Sequence, residues 1–246
     1  MMRRLIRAVG IRMQPLLFTP RFRYGVVLPV ARALMPDHDE SILEKAFRYA
    51  GHHGLEGDYL EFGVWKGRTF TKAYHLWRTL FSRKGVLKDM RFWAFDSFQG
   101  LPDITHEADR STGEFKKGDY AFSRQEFERR LRSNDIDMER VCMVPGWYNE
   151  SLLAMASMGN GPHKAAIVLI DCDLYKSTLP VLSFLTNVLQ DGTVLIFDDW
   201  FAFRGHPDKG EQKAFSEWLK QHPNWTSTEW QVTNWRTKAF IMNRNV

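Results

Sequence analysis

Asp171 and Asp173 in the run IDCDLYKST, and Asp198 and Asp199 in FDDW, are acidic pairs set directly after apolar runs of strand length. The runs are Ala165–Ile170 (AAIVLI) and residues 193–197 (TVLIF), and residues 176–189 between them have the length of a helix. Strand, helix and strand in so short a span make a βαβ unit, which places the two strands parallel and adjacent. Their carboxyl ends, and the four acids, then emerge on one edge of the sheet. Carboxylates gathered there repel one another unless a positive charge sits among them, and a hard divalent cation with oxygen ligands meets that need. A strand-end aspartate also suits capping of the helix that follows. One acid per pair is enough for that, so capping leaves the second member of each pair unexplained.

A second group of residues has the chemistry of a nucleoside site. The first strand runs into Glu61-Phe62-Gly63-Val64-Trp65-Lys66-Gly67-Arg68-Thr69. Gly63 permits a sharp turn and close approach to a ligand, and Gly67 stands where the next helix begins and leaves backbone N–H groups free. Trp65 fills the place of the middle glycine in G-x-G-x-x-G, which argues against a pyrophosphate and so against a dinucleotide. Asp96, at the end of the second strand in FDSFQGLP, is placed to bind ribose hydroxyls. Glu61 would repel phosphate but accept hydrogen bonds from an ammonium group. A nucleoside carrying an amine and no phosphate fits this set, and S-adenosylmethionine is one. A tight strand-to-helix turn at 63–67 and a solvated turn at Asp96 are the plainer readings.

The elements that must position these groups alternate along the chain. The pattern predicts a helix from a cap at Asp39 or Ser41 to about Gly51 or Gly54, a strand at 58–63, a helix at 68–81 and a strand at 91–95. A helix over Arg124–Ser133 capped by Ser123, a strand at 141–144, the 165–198 unit and a helix at about 211–221 follow. Trp225–Val232 and residues 238–243 read as strands joined by a short turn, hence antiparallel. The expected fold is α/β, a doubly wound, mostly parallel sheet with one antiparallel C-terminal strand. Such sheets bind ligands beyond the carboxyl ends of their strands. Residues 1–40, punctuated by Pro15, Pro20, Pro29 and Pro36, read as an extension of the 41–246 domain, serving as a lid or an oligomer contact.

Composition narrows the classes. The chain has 246 residues, 44% hydrophobic, enough for one domain with a large core. No run reaches the ~18 apolar residues of a membrane span, and the basic, interrupted N-terminus has no cleavage site of a secretory signal. The charge of +5 is modest and spread out, which argues against nucleic acid as a partner. Cys142 and Cys172 fall in strand-like runs and read as buried thiols in a reducing, cytoplasmic setting.

In order and spacing, DYLEFGVWKGRT, FDSFQGLP, KGDYAFSRQEF, VPGWYNESL, IDCDLYKST and FDDW resemble the macrocin O-methyltransferase (TylF-type) family over roughly residues 40–245. The resemblance implies a class I methyltransferase (Rossmann-like) fold, a homo-oligomer, and Mg²⁺- and S-adenosylmethionine-dependent methylation of a sugar hydroxyl on a natural product or saccharide. By position it implies metal ligands Asp171, Asp198 and Asp199, and a general base at Asp173. It implies cofactor contacts at Glu61, Gly63, Val64, Gly67, Thr69, Asp96, Ser97 and Asp171, with Gly146, Trp147 and Tyr148 near the adenine. This chain departs from the family pattern at Cys172, where glycine is commoner, at Trp200, where tyrosine is usual, and at Asn149-Glu150-Ser151, which replace Lys-Asp-Thr.

Under this reading an acceptor hydroxyl is acidified by the metal and gives its proton to Asp173, with His206 as an alternative base and Lys176 as a counter-charge. Trp200, Phe201 and Phe203 either wall the acceptor cleft or simply pack beneath a loop, and residues 103–120 have the make-up of a mobile lid or of a flexible connection. Two rivals stand beside it. Asp171-x-Asp173 also resembles the D-x-D signature of metal-dependent glycosyltransferases, and a non-catalytic member of the fold would keep the same elements.

Overall fold

The structure is a computed structural model that describes residues 41–245 apart from 84, 111, 112, 233 and 234, so the expectations for residues 1–40 fall outside the described residues. Helix α1 (Ile42–His52) is capped by Ser41, whose hydroxyl accepts from the Glu44 N–H. Strand β1 (Asp58–Phe62), helix α2 (Arg68–Leu80) and strand β2 (Phe92–Asp96) follow. Helix α3 (Arg124–Ser133) starts at Ser123, whose side chain exchanges hydrogen bonds with Glu126. Next come β3 (Val141–Pro145), α4 (Tyr148–Met158), β4 (Ala165–Ile170), α5 (Tyr175–Leu185), β5 (Val194–Phe197), α6 (Gly210–Gln221), β6 (Trp225–Val232) and β7 (Lys238–Arg244).

The seven strands form one sheet in the order β3-β2-β1-β4-β5-β7-β6, parallel except for β7, which runs antiparallel to both of its neighbours. The expected doubly wound sheet with a single reversed C-terminal strand is what is found. Strand alternation splits the core in two. Tyr59, Phe92, Ile167 and Ile196 pack under α1, α2 and α3, while Leu60, Phe62, Phe95, Ile170 and Phe197 pack under α4, α5 and α6. The strand order reverses between β1 and β4, so the loops leaving them diverge and open a crevice at their carboxyl ends.

Helix α4 is the element that the sequence pattern concealed. Only Leu152 and Met155 of it are buried, whereas Leu153 and Met158 are 71% and 70% exposed, so apolar residues fall all round the helix and no stripe stands out.

Candidate active site

The crevice is a cavity of about 910 Å³ walled by the ends of β1, β2, β4 and β5, the start of α4 and the residues after Gly100. Of the sequence-nominated residues, Gly63, Asp96, Ser97, Trp147, Tyr148, Asp171, Asp173, Asp198 and Asp199 line it. Glu61, Val64, Gly67, Thr69 and Gly146 are not among its lining residues. Val64 packs in the core, and Glu61, 1% exposed, accepts a hydrogen bond from the Tyr59 hydroxyl at 2.5 Å. Burial pushes the Glu61 carboxyl up to about 8, a shift that the negative charge of Asp198 increases and the Tyr59 bond opposes.

The β1 loop is drawn against its neighbours by specific bonds. Gly63 has φ +91, and a Cβ there would fall on the main-chain carbonyl of Asp171. The glycine is therefore required by the adjacent acidic loop, whose Asp171 N–H donates to the Phe62 carbonyl at 2.8 Å. Asp96 holds the same loop from the other side. Its Oδ2 accepts from the N–H groups of Val64 and Trp65, each at 2.9 Å, and its Oδ1 from Phe98 at 2.7 Å.

The acids after β4 and β5 converge. One ligand oxygen each from Asp171, Asp173 and Asp199 lies within 4.8 Å of the others. In an extended chain Asp171 and Asp173 would share a face with Cys172 opposite, but the strand has already ended. Asp173 has φ +60 at the centre of a three-residue turn closed by the Leu174 N–H on the Cys172 carbonyl at 2.6 Å. A non-glycine residue in that conformation is strained, and strain of this kind gathers at functional sites. Burial, then the charge of Asp198, raises the Asp171 carboxyl far above its ordinary range; burial, then Asp171, does the same to Asp173. Asp198 lines the same cavity, with its Oδ1 accepting from Thr237 Oγ1 at 2.8 Å.

Two charged residues that the sequence did not single out complete the cluster. Arg236, in the turn between β6 and β7, makes an ion pair with Asp199 and lowers the proton affinity of Asp171 and Asp173. Its place in the site follows from the reversal of β7, which returns the turn to the carboxyl edge, and no local motif announces it. Glu211, at the start of α6 and fully buried, accepts from the Cys172 and Asp199 N–H groups at 3.1 Å each. A glutamate directly after Gly210 at a helix start on this edge was the signal available. Buried, mutually repelling carboxylates with oxygen atoms this close suit a hard divalent cation.

Other expectations resolve into structure. His206 is exposed and its Nδ1 accepts from the Asp208 N–H at 3.1 Å, which makes it a turn former. Trp200 packs against Phe240 and Phe197 with ring centroids 4.7 and 5.2 Å apart, and Phe203 lies with Phe115, so these aromatics pack beneath the loops instead of facing the cavity. Residues 103–120 are fastened, where described. Asp109 accepts from the Tyr175 and Lys176 N–H groups at 2.5 and 3.1 Å and so caps α5, Phe115 is 4% exposed, and Glu114 accepts from the Phe203 N–H at 2.9 Å. Trp65 and Tyr120 meet edge to face at the cavity wall, with centroids 5.5 Å apart and each residue 41% exposed. Cys142 and Cys172 are both free thiols, the first half-buried and the second buried.

Known proteins resemble this chain to different degrees. The demethyldecarbamoylnovobiocin O-methyltransferase of Streptomyces niveus is 31% identical over 152 residues, 60% of this chain and 54% of the relative. The mycinamicin III 3''-O-methyltransferase of Micromonospora griseorubida is 28% identical over 171 residues, 64% of this chain and 61% of the relative. A third relative, an 8-demethyl-8-(2,3-dimethoxy-alpha-L-rhamnosyl)-tetracenomycin-C 4'-O-methyltransferase of Streptomyces olivaceus, is 28% identical over 156 residues, 60% of this chain and 54% of its own length. The chain thus spans about half the length of the curated relatives it matches. Among solved structures, that of the O-methyltransferase NovP superposes with a TM-score of 0.69 at 23% identity, covering 82% of this chain and 78% of that one. The calicheamicin methyltransferase CalS11 gives 0.65 at 20% identity, with 81% and 76% covered. These likenesses establish the class I methyltransferase fold. The profile of the macrocin-O-methyltransferase (TylF) family matches residues 29–236, most of the chain, and the protein belongs to that family.

Proposed function

We propose that the protein methylates a hydroxyl of a sugar on a glycosylated natural product or saccharide, using S-adenosylmethionine and a divalent cation, Mg²⁺ by preference. The observation that carries this reading is the meeting of the Asp171, Asp173 and Asp199 oxygens in the same cavity as Gly63 and Asp96. Two acids suited to a hard cation, a third suited to act as base and a nucleoside-type edge then share one chamber. The names of the relatives support a sugar acceptor, since one specifies a rhamnosyl compound, and family membership favours methyl transfer over the D-x-D glycosyltransferase reading.

S-adenosylmethionine brings a methyl group on a cationic sulfur, which is a good leaving group, and the divalent cation lowers the pKa of an acceptor hydroxyl. The chain supplies the rest. Ser97, Trp147 and Tyr148 line the nucleoside end of the chamber, and Asp96 holds the Gly63 loop in place beside it. Asp171 and Asp199 would hold the cation, with Asp198, which lines the same cavity, as the third ligand, and Asp173 would receive the hydroxyl proton. The Asp173 turn fixes that carboxylate beside the ligands, so most of the acceleration comes from positioning. The Trp65–Tyr120 pair offers aromatic surface on which the apolar face of a sugar ring can stack. A homo-oligomer, cytoplasmic location and freedom from nucleic acid are part of the proposal.

The test is methyl transfer from S-adenosylmethionine to a panel of deoxysugar glycosides, with and without EDTA. Activity that EDTA abolishes and Mg²⁺ restores is expected, with Asp173→Asn lowering kcat by about 10²–10⁴-fold. Turnover indifferent to EDTA would remove the metal from the reaction, and full activity in Asp173→Asn would remove the base.

A further inference from the structure

The two acid-bearing loops come from different strands, and something must fix their separation. One buried side chain touches both. Glu211 Oε1 accepts from the Cys172 N–H at 3.1 Å, and Oε2 accepts from the Asp199 N–H at 3.1 Å. Cys172 lies between Asp171 and Asp173 in sequence, so the carboxylate is bonded to the backbone of each loop at the acids themselves. Glu211 is 0% exposed and stands in the first turn of α6, where the helix dipole favours a negative charge. The neighbouring residues tighten the same contact. Gln212 Nε2 donates to the Trp200 carbonyl at 2.6 Å. At Gly210 (φ +48) a Cβ would meet the Phe203 ring at 2.6 Å, so glycine lets the start of α6 press this closely on that ring.

Resting on the metal reading above, we propose that Glu211 is a positioning residue that sets the spacing of Asp171, Asp173 and Asp199. It bridges the two loops through its paired oxygens and does not itself ligate the cation. A fully buried acid placed among other acids is a costly choice for fold stability alone. Its use here makes sense if the loop spacing matters more than that cost.

The distinction rests on having two acceptors. Glutamine at 211 keeps the shape but turns one acceptor into an NH₂ donor, which faces a backbone N–H and breaks one arm of the bridge. The full chain and Glu211→Gln are titrated with Mn²⁺ by electron paramagnetic resonance and with S-adenosylhomocysteine by calorimetry. The expected result is an Mn²⁺ Kd raised by about 10–100-fold with S-adenosylhomocysteine binding retained. Unchanged Mn²⁺ affinity in the folded variant would overturn the role of Glu211. An unaltered chain that binds no Mn²⁺ would instead remove the metal reading and this inference with it. Should the variant fail to fold, amide hydrogen exchange in the unaltered chain decides: both the Cys172 and Asp199 amides are expected to exchange slowly, and rapid exchange at either shows that the bridge is not made.

Discussion

At the residue scale the site is a problem in negative charge. Asp171, Asp173, Asp199 and Glu211 crowd a small volume against the offsetting charge of Arg236, and Glu61 lies just behind them. Glu61 gives the cleanest test of how that field acts on the folded chain. Its carboxyl is raised from 4.5 to about 8 by burial, against the bond from Tyr59. A raised acid stabilises the fold fully below the unfolded pKa, and that contribution is lost as the pH climbs through the folded value. Urea unfolding at about pH 5 and about pH 8.5 is therefore expected to show the unaltered chain losing stability relative to Glu61→Gln, by on the order of a few kcal/mol. Parallel pH profiles for the two proteins would mean that Glu61 is ionised in the fold, free to meet an ammonium group as its sequence position first suggested. The paired aspartates were legible because they break two apolar runs at equivalent places. Arg236 was not, because its approach depends on the register of β7 and on no neighbour in the chain.

Elements explain why a short motif such as IDCD can work as a site. Strand β4 ends at Ile170, Asp173 reverses the chain, and α5 must begin at once at Tyr175. Leu174 provides no side-chain cap for that helix, so its first N–H groups are taken by Asp109 from a segment some 65 residues earlier. The segment that composition marked as a mobile lid therefore has a structural duty, one that composition cannot reveal because it lies in a long-range bond. Replacing Asp109 with alanine is expected to cost about 0.5–2 kcal/mol, the usual cost of a lost cap, read as a shift in the urea midpoint. An unshifted midpoint would show that solvent serves the first turn of α5 equally well. Helix boundaries with a capping serine, at Ser41 and Ser123, were readable to within a residue or two; α4, which begins after Trp147 without a side-chain cap, was not.

For the molecule as a whole, topology does the gathering. The order β3-β2-β1-β4-β5-β7-β6 is compatible with right-handed βαβ crossovers and a closing hairpin. The alternation of apolar strands and amphipathic helices made a mostly parallel, doubly wound sheet with one reversed strand legible, but not the order of its strands. The same order puts the nucleoside-type loops of β1 and β2 beside the acidic loops of β4 and β5, so the proposed donor and metal sites share a wall at Gly63 and Asp171. Acceptor identity was not legible, because the Trp65–Tyr120 corner and the residues after Gly100 are set by loop packing that follows no period. No helix among the described residues is long and apolar enough to cross a membrane.

The central claim is that the converging carboxylates hold a cation next to the methyl donor. A crystal of the full chain grown with S-adenosylhomocysteine and Mn²⁺, measured at the manganese edge, addresses it directly. An anomalous peak bonded to Asp171 and Asp199, with the nucleoside against Asp96 and Trp147 and Arg236 drawn aside, is the expected result. A map with the nucleoside in place, Arg236 still on Asp199 and no peak among the acids would contradict it.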